Sequence, residues 1–244
     1  MGHLDINAAQ TEDAARHAAA ALDARLRQAS PLEILAAAAE NHRGRVAVVS
    51  SFGAESVVLL HMASQVDRGF PVLFLDTGHM FPETLAYRDD LIARLGLTDV
   101  RTFHPDPVAR LALDPQDALW ADDTDACCAL RKVEPLDRAL SPFSAWINGR
   151  KRYQAETRTA LRVVEFEDGR TKFNPLAALG PAEIEGWMRA HALPEHPLKK
   201  FGFLSVGCMP CTSRVAPGED SRSGRWRGQA KTECGIHVSR TDAK

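Results

Sequence analysis

The sequence predicts an α/β protein with a mostly parallel, doubly wound sheet flanked by helices, and three observations predict it. Short β-branched runs recur at intervals wide enough for a helix between them, at residues 45–49, 72–75 and 100–104. The first two end in small polar loops, Ser50-Ser51-Phe52-Gly53-Ala54-Glu55-Ser56 and Asp76-Thr77-Gly78-His79, and a helix-forming stretch follows each. Strands alternating with helices imply parallel pairing through helical crossovers. At 244 residues and 45% apolar side chains, the chain can fill one α/β core without splitting.

Taken in order, residues 11–29 place apolar positions at helical spacing among Ala, Arg, Asp and Gln, which predicts an amphipathic helix. Ser30, Pro31 and Glu33 occupy the N-cap, N1 and N3 positions of a capping box, so a second helix runs on through residues 34–40. Neither carries chemistry; they form a helical extension over residues 1–43. The strand at 45–49 then feeds the first polar loop and a helix begun by the apolar stretch 57–62. This order presents backbone N–H groups and a helix N-terminus to a phosphate. The loop has neither the Gly-Lys-Ser/Thr ending of a Walker A motif nor the Rossmann glycine pattern, so a phosphate cradle and an ordinary βα turn both stay open. After the strand at 72–75, Pro82 opens a helix to about residue 95. Ligands in such sheets collect beyond the carboxyl ends of the strands, where both polar loops fall. The third strand gives way to a turn marked by Pro105 and Pro107, and a fourth is expected at 146–149, leading into Arg150-Lys151-Arg152-Tyr153-Gln154. Asp168-Gly169, between runs at 161–166 and 171–173, signals a two-residue hairpin, and Pro181 starts a last helix to about residue 191.

The formal net charge of −2 gives no bulk attraction to nucleic acid or to a membrane. Its distribution is uneven. From Thr212 onward seven Lys and Arg face four Asp and Glu, so this segment carries +3 and the rest −5, which makes it a candidate anion binder. No apolar run approaches the roughly 20 residues of a membrane span, and no signal-peptide pattern opens the chain, so the expected compartment is the cytoplasm. Residues 218–231 are mostly Gly, Ser, Arg and acid with Trp226 as the only large apolar residue, which predicts a mobile tail over residues 217–244 unless something holds it. Fully extended at about 3.3 Å per residue, the chain from Cys211 to Cys234 reaches roughly 75 Å. A compact domain of this size has a radius of gyration of about 18 Å, so Cys234 can reach almost any part of the body, residues 1–216.

The chain has five cysteines: Cys127 and Cys128, adjacent; Cys208 and Cys211 in Cys-Met-Pro-Cys; and Cys234 alone. So few in this length argue for metal binding or thiol chemistry over a disulfide scaffold. Adjacent residues on a helix point about 100° apart, so two neighbouring cysteines share one object only if it is large or the backbone is strained. The residues alone leave an iron-sulfur cubane, a zinc site and a metal-free vicinal pair beside a redox-active Cys-x-x-Cys all open. Arg131 and Lys132 follow Cys127 and Cys128 by four residues, one helical turn on. Such cations offset thiolate charge or receive an anionic substrate; the alternative is two surface charges paired with Glu134 or Asp137. Cys234 has Lys231 three residues before it and His237 three after, cationic neighbours that lower a thiol pKa, with Glu233 opposing them. Together with Arg222 and Arg225 they mark it as a nucleophile.

Cys-Cys-Ala-Leu-Arg-Lys-Val-Glu-Pro-Leu at 127–136, Gly-Cys-Met-Pro-Cys-Thr at 207–212, Gly-Glu-Asp-Ser-Arg-Ser-Gly-Arg-Trp at 218–226 and Lys-Thr-Glu-Cys-Gly-Ile-His at 231–237 are joined by Ser-Ser-Phe-Gly-Ala-Glu-Ser, Leu-Asp-Thr-Gly and Asn-Pro-Leu-Ala at 174–177. Over about residues 45–237 this set resembles the assimilatory, thioredoxin-dependent adenylyl-sulfate reductases, relatives of the phosphoadenylyl-sulfate reductases. The resemblance implies a Rossmann-like adenine nucleotide α-hydrolase-like fold and one [4Fe-4S] cluster on Cys127, Cys128, Cys208 and Cys211. It implies that Cys234 attacks the sulfur of adenosine 5′-phosphosulfate and expels AMP, and that reduced thioredoxin or a glutaredoxin-like donor then releases sulfite from the S-sulfocysteine. His237 and Lys132 would share the catalysis, Lys132 between cluster and sulfate. Ser50, Ser51, Phe52, Gly53, Leu75 and Arg152 would surround the nucleotide, with Arg222, Arg225 and Lys231 on the sulfate and phosphate. Such an enzyme serves sulfate assimilation and cysteine biosynthesis, needs neither nucleic acid nor membrane, and is compatible with a homo-oligomer. Asn148 and Tyr153 depart from the pattern, standing where relatives commonly carry Thr and Asp. The alternatives are a phosphoadenylyl-sulfate or dual-specificity reductase, an ATP-dependent cluster-bearing tRNA thiolase, whose Ser-Gly-Gly-x-Asp-Ser loop Phe52 and Ala54 interrupt, and a non-catalytic zinc or redox sensor.

Overall fold

A computed structural model of the chain describes residues 2–229 and 231–237, with side chains from residue 10 onward. Of the predicted tail, residues 230 and 238–244, with Arg240, Asp242 and Lys244, lie outside the described residues.

Helices α1 (Gly2–Leu26) and α2 (Pro31–Asn41) precede the sheet. The Ser30 and Glu33 capping box forms as its residues predict: the Glu33 N–H donates to Ser30 Oγ at 3.3 Å and the Ser30 N–H to Glu33 Oε2 at 2.7 Å. α1 starts nine residues before its predicted position, lies along the edge of the sheet formed by residues 164–167, and there uses Asp23, whose Oδ1 accepts from the Val163 and Val164 N–H groups at 3.0 and 3.1 Å.

The strands are β1 (Val46–Val49), β2 (Val72–Leu75), β3 (Val100–Phe103), β4 (Ala145–Ile147), β5 (Val164–Glu167) and β6 (Arg170–Phe173), in the spatial order β3-β2-β1-β4-β6-β5. All neighbours pair parallel except β5 with β6. That antiparallel pair turns on Asp168 (φ 49°) and Gly169 (φ 74°), the two left-handed residues a tight hairpin needs. The fourth strand ends two residues before its predicted limit: the Asn148 N–H makes a last bond to the Phe173 carbonyl at 3.0 Å and the chain then enters the polar loop.

Between the strands run α3 (Ser56–Val66), α4 (Pro82–Leu95), α5 (Pro107–Leu113), α6 (Leu119–Asp122), α7 (Thr124–Cys128) and α8 (Glu134–Leu140), and α9 (Pro181–Ala190) follows β6. Pro107 thus opens a helix where the sequence predicts only a turn, with Asp106 accepting from the Val108 and Ala109 N–H groups. Side-chain alternation splits β1 between two cores. Val46 and Val48 join Ile34, Val58, Leu60 and Leu91 on one face, while Ala47 and Val49 join Leu136, Leu140 and Trp146 on the other. Burying both faces explains why the strands read as continuous apolar runs. The order of the sheet reverses between β1 and β4, since β1 is followed by β2 on one side and has β4 on the other; a crevice opens at the carboxyl ends of two such strands.

A buried histidine ties α4 to the segment after α9. His196 Nδ1 accepts from the Leu198 N–H at 3.2 Å, so its proton lies on Nε2, 3.0 Å from Thr84 Oγ1. Burial, opposed by Glu83, pushes its pKa down to about 4. The unfolded chain, with an ordinary value near 6.5, therefore takes the proton first as pH falls. Stability is expected to drop through the window from about 6.5 to about 4 by on the order of 3 kcal/mol and to level off below it. Urea titrations of the native protein and His196→Gln across that window test this; the variant should show the shallower dependence.

Candidate active site

The loop after β1 forms one wall. Ser50 Oγ accepts from the Phe52 N–H at 3.2 Å, and Phe52 takes a left-handed backbone (φ 49°) that turns the chain into α3. Its ring is fully buried edge-on to Phe74 at 5.5 Å, beneath the cleft and not in it. A side chain at Gly53 would press its Cβ to 3.0 Å of the Val206 carbonyl, so glycine lets the segment 204–207 close over the loop. Glu55 accepts from Lys151 Nζ, Tyr153 Oη and Gln154 Nε2, each at 2.8 Å, and joins the β1 loop to the β4 loop across the crevice. Burial pushes its carboxyl up, but Lys151 and these bonds hold it below its ordinary value. Tyr153 is thus an anchor for Glu55, and Asn148 is another anchor: its Nδ2 donates to the Phe173 carbonyl while its Oδ1 accepts from the Arg150 N–H.

Of the cysteine quartet, Cys208 lines the cleft, with Thr77, Met80 and Lys132. Asp123 caps α7, and the helix widens just after Cys128 into a π-turn, Ala129–Val133, where the Glu134 N–H reaches the Ala129 carbonyl. Pro135, which has no N–H for the Arg131 carbonyl, favours that widening. Cys208 pairs with Met80 as an isolated bridge, Thr77 Oγ1 lies 3.2 Å from its sulfur, and a 3₁₀ turn, Met209–Cys211, brings Cys211 around. Cys127, Cys128 and Cys208 are buried and all five cysteines are free thiols. Burial first, then Cys208 and Cys211, push Cys127 up to about 11 against Arg131; burial and Cys208 raise Cys211.

Arg131 is not one of two surface charges paired with Glu134 or Asp137. It is 2% exposed and donates to Asp114 and Asp117 at 2.5 Å and to the Thr77 carbonyl at 2.8 Å, pinning the π-turn to the loop after β2. Glu134 instead pairs with Arg138. Only Lys132 of the two adjacent cations faces the cleft; Cys234, Cys208 and Cys128 favour its charge against burial.

The tail lies docked over the cleft. Trp226 is 3% exposed, with the Arg225 guanidinium over its ring at 4.4 Å. That guanidinium occupies the space a Cβ on Gly207 would need, and its Nε donates to the Cys211 carbonyl at 3.3 Å. Arg222, pushed down to about 10 by burial and Arg158, donates to the Thr232 carbonyl at 3.0 Å. The neighbouring Cys128 sulfur, Lys132 and Arg225 hold the Cys234 thiol well below its ordinary value against burial.

The cations that assist Cys234 differ from those the sequence suggests. Lys231 pairs with Asp125, outside the cleft. His237 stacks on Trp146 at 5.8 Å and 3°, and burial together with Arg150, Lys172, Arg158 and Arg222 keeps it neutral. Glu233, which the sequence sets against the thiolate, is neutralised by Arg158.

These walls enclose a cleft of about 230 Å³. Ser50, Ser51, Gly53, Leu75, Lys132, Arg222, Arg225, Cys234 and His237 all line it. Arg152 does not: its Nε donates to the Leu161 carbonyl, and it lines a separate depression with Asp23, Arg27 and Arg162. In its place Arg150, Lys151 and Arg158 line the cleft. The first two sit in a basic run visible in the sequence; nothing near Arg158 in the chain marks it.

The sequence profile of the phosphoadenosine phosphosulfate reductase domain matches residues 45–214. The chain belongs to that family. It is 53% identical over 229 residues to an adenosine 5′-phosphosulfate reductase of Mesorhizobium japonicum, covering 93% of this chain and 90% of the relative, and 50% identical to one of Chelativorans sp., covering 91% of each. A phosphoadenosine 5′-phosphosulfate reductase of Gloeobacter violaceus is 42% identical, covering 86% and 89%. Among solved structures, phosphoadenylyl-sulfate reductase from Candida auris in its phosphate complex superposes with a TM-score of 0.69 at 28% identity, covering 81% of this chain and 96% of that one. The predicted fold class therefore holds. Among the described residues no helix is long and apolar enough to cross a membrane.

Proposed function

We propose that the protein reduces adenosine 5′-phosphosulfate to sulfite and AMP, with Cys234 as nucleophile and a thioredoxin-class dithiol as reductant. One observation carries this reading: the cysteine outside the quartet lines the cleft beside Lys132 and Arg225, neither of which pairs with a carboxylate among the described residues. Uncommitted cations at a thiolate suit a substrate that is itself an anion.

In this scheme Cys234 Sγ attacks the sulfate sulfur and forms an S–S bond. The sulfur–oxygen bond to the phosphate breaks, and its electron pair leaves on AMP. Lys132 and Arg225 take up charge on the sulfate oxygens, and the N–H groups of the Ser50–Gly53 loop, with the α3 N-terminus, receive the phosphate. One thiolate of the dithiol then attacks Cys234 Sγ, and sulfite departs with the S–S bonding pair. The second thiol displaces Cys234 from the mixed disulfide, so the dithiol is oxidised as the sulfate sulfur gains two electrons.

Cys127, Cys128, Cys208 and Cys211 fit a [4Fe-4S] cluster. Three of them are buried and burial opposes ionisation of Cys127 and Cys128, so thiolates there need a cationic partner, which iron is. When bound, the cluster would supply electrostatic and structural support beside Lys132, not electrons.

The test is to incubate the protein and reduced thioredoxin with adenosine 5′-phosphosulfate or its 3′-phosphorylated analogue and assay sulfite. Turnover is expected with the first, and peptide mass spectrometry without reductant should locate the sulfo adduct on Cys234. The relative from Gloeobacter favours the analogue as the second reading, so faster turnover with it, or an adduct on any quartet cysteine, overturns the assignment.

A further inference from the structure

We infer that Glu233 is a positioning residue whose fork on Arg158 sets Cys234 against the cleft; this rests on the reading of Cys234 as nucleophile. Arg158 Nε donates to Glu233 Oε1 at 2.5 Å and its Nη2 to Oε2 at 2.6 Å, two parallel bonds between a guanidinium and a carboxylate. Both side chains are buried, at 8% and 15% exposure. Arg158 is itself fixed, since its Nη1 donates to Gln154 Oε1 at 2.7 Å, and Gln154 holds Glu55 on the β1 loop. The fork therefore ties the tail to the same scaffold that shapes the nucleotide wall.

After Cys234 the tail is held by Ile236 on the second core and by His237 on Trp146; before it, the other polar anchors are weaker than the fork. Lys231 pairs with an Asp125 that is 86% exposed, and such surface pairs contribute little. Arg222 holds the tail by one bond to a carbonyl and stands 3.9 Å from Glu233. Glu233 and Cys234 are consecutive, yet the first is held on Arg158 after β4 while the second lines the cleft that Lys132 enters from the π-turn. A one-residue span across two walls leaves the nucleophile little freedom once the fork is made. The fork also neutralises a carboxylate that would otherwise repel both the thiolate and the substrate.

The test uses Glu233→Gln, Arg158→Lys and the double variant in the full-length protein. Each retains hydrogen-bonding groups and sits at the cleft surface of a folded body. The readouts are kcat, KM, the AMP dissociation constant and the rate at which iodoacetamide labels Cys234, compared at a pH where that rate no longer rises. A bidentate, buried fork replaced by single neutral or misaligned bonds predicts about tenfold faster labelling and about tenfold lower kcat in each single variant. AMP affinity should move less than about twofold, and the double variant should be no worse than either single one, as for two partners of one interaction. Unchanged labelling in Glu233→Gln, or effects that multiply in the double variant, overturns the inference. AMP affinity falling in step with kcat overturns it too, assigning Arg158 to the nucleotide. Labelling needs no substrate, so a protein that makes no sulfite but labels as predicted refutes the proposed reaction and leaves the fork standing.

Discussion

Cys234→Ser is expected to bind AMP as the native protein does and to produce no measurable sulfite, a loss of at least about 10⁴-fold of the kind that follows removal of a nucleophile. The hydroxyl is the nearest isostere of the thiol, but its pKa lies far above the operating pH, and Lys132 and Arg225 cannot bring it into range. Nucleotide binding should survive because the β1 loop, Leu75 and the Glu55 network contact the cleft independently of the tail. Isothermal titration with AMP and a sulfite assay check both halves. Residual turnover above about one part in a thousand would mean that another thiol can serve.

Lys132→Ala should lower kcat/KM by about 10²–10³-fold, the range seen when one preorganised charge is removed from a developing anion. The side chain faces the cleft from the π-turn, where the sulfurs of Cys234, Cys208 and Cys128 all favour its charge. Without it the nucleophile and the substrate sulfate would meet as two anions with only Arg225 between them. Arg131 stays locked on Asp114 and Asp117, so the neighbouring charge cannot substitute. Steady-state kinetics measure the loss, and iron content per chain in native and variant protein separates a catalytic effect from damage to the quartet. Equal iron with unchanged kcat/KM would remove Lys132 from the mechanism.

The sheet and its polar loops were legible because their signals are local: β-branched runs, and a Pro or capping residue at helix starts. The hairpin at Asp168-Gly169 and the capping box at Ser30 and Glu33 form for the same reason. Partnerships made through space were not legible. Sequence proximity assigned Lys231 and His237 to Cys234, whereas Asp125 takes the lysine and four basic side chains keep the histidine neutral. It offered Arg131 to the solvent, because its acids, Asp114 and Asp117, stand on a turn more than a dozen residues earlier and come together only when Asp117 takes a left-handed backbone. Arg158 escaped notice because its partner Glu233 is 75 positions away.

The pairing of β1 with β4 has a kinetic corollary. Val46 meets Ala145 only after the whole intervening chain, with β2, β3 and six helices, has been looped out. Closing so long a loop carries an entropic cost that is recovered late, and parallel pairing of this kind makes for slow folding. The nucleotide crevice lies at that seam, so a nascent or partly folded chain holding only the β1, β2 and β3 half has a core but only one wall of the cleft with which to grip AMP. Ligand therefore adds its full binding energy to the finished molecule alone, and during refolding the recovery of AMP affinity would time the closure of the seam.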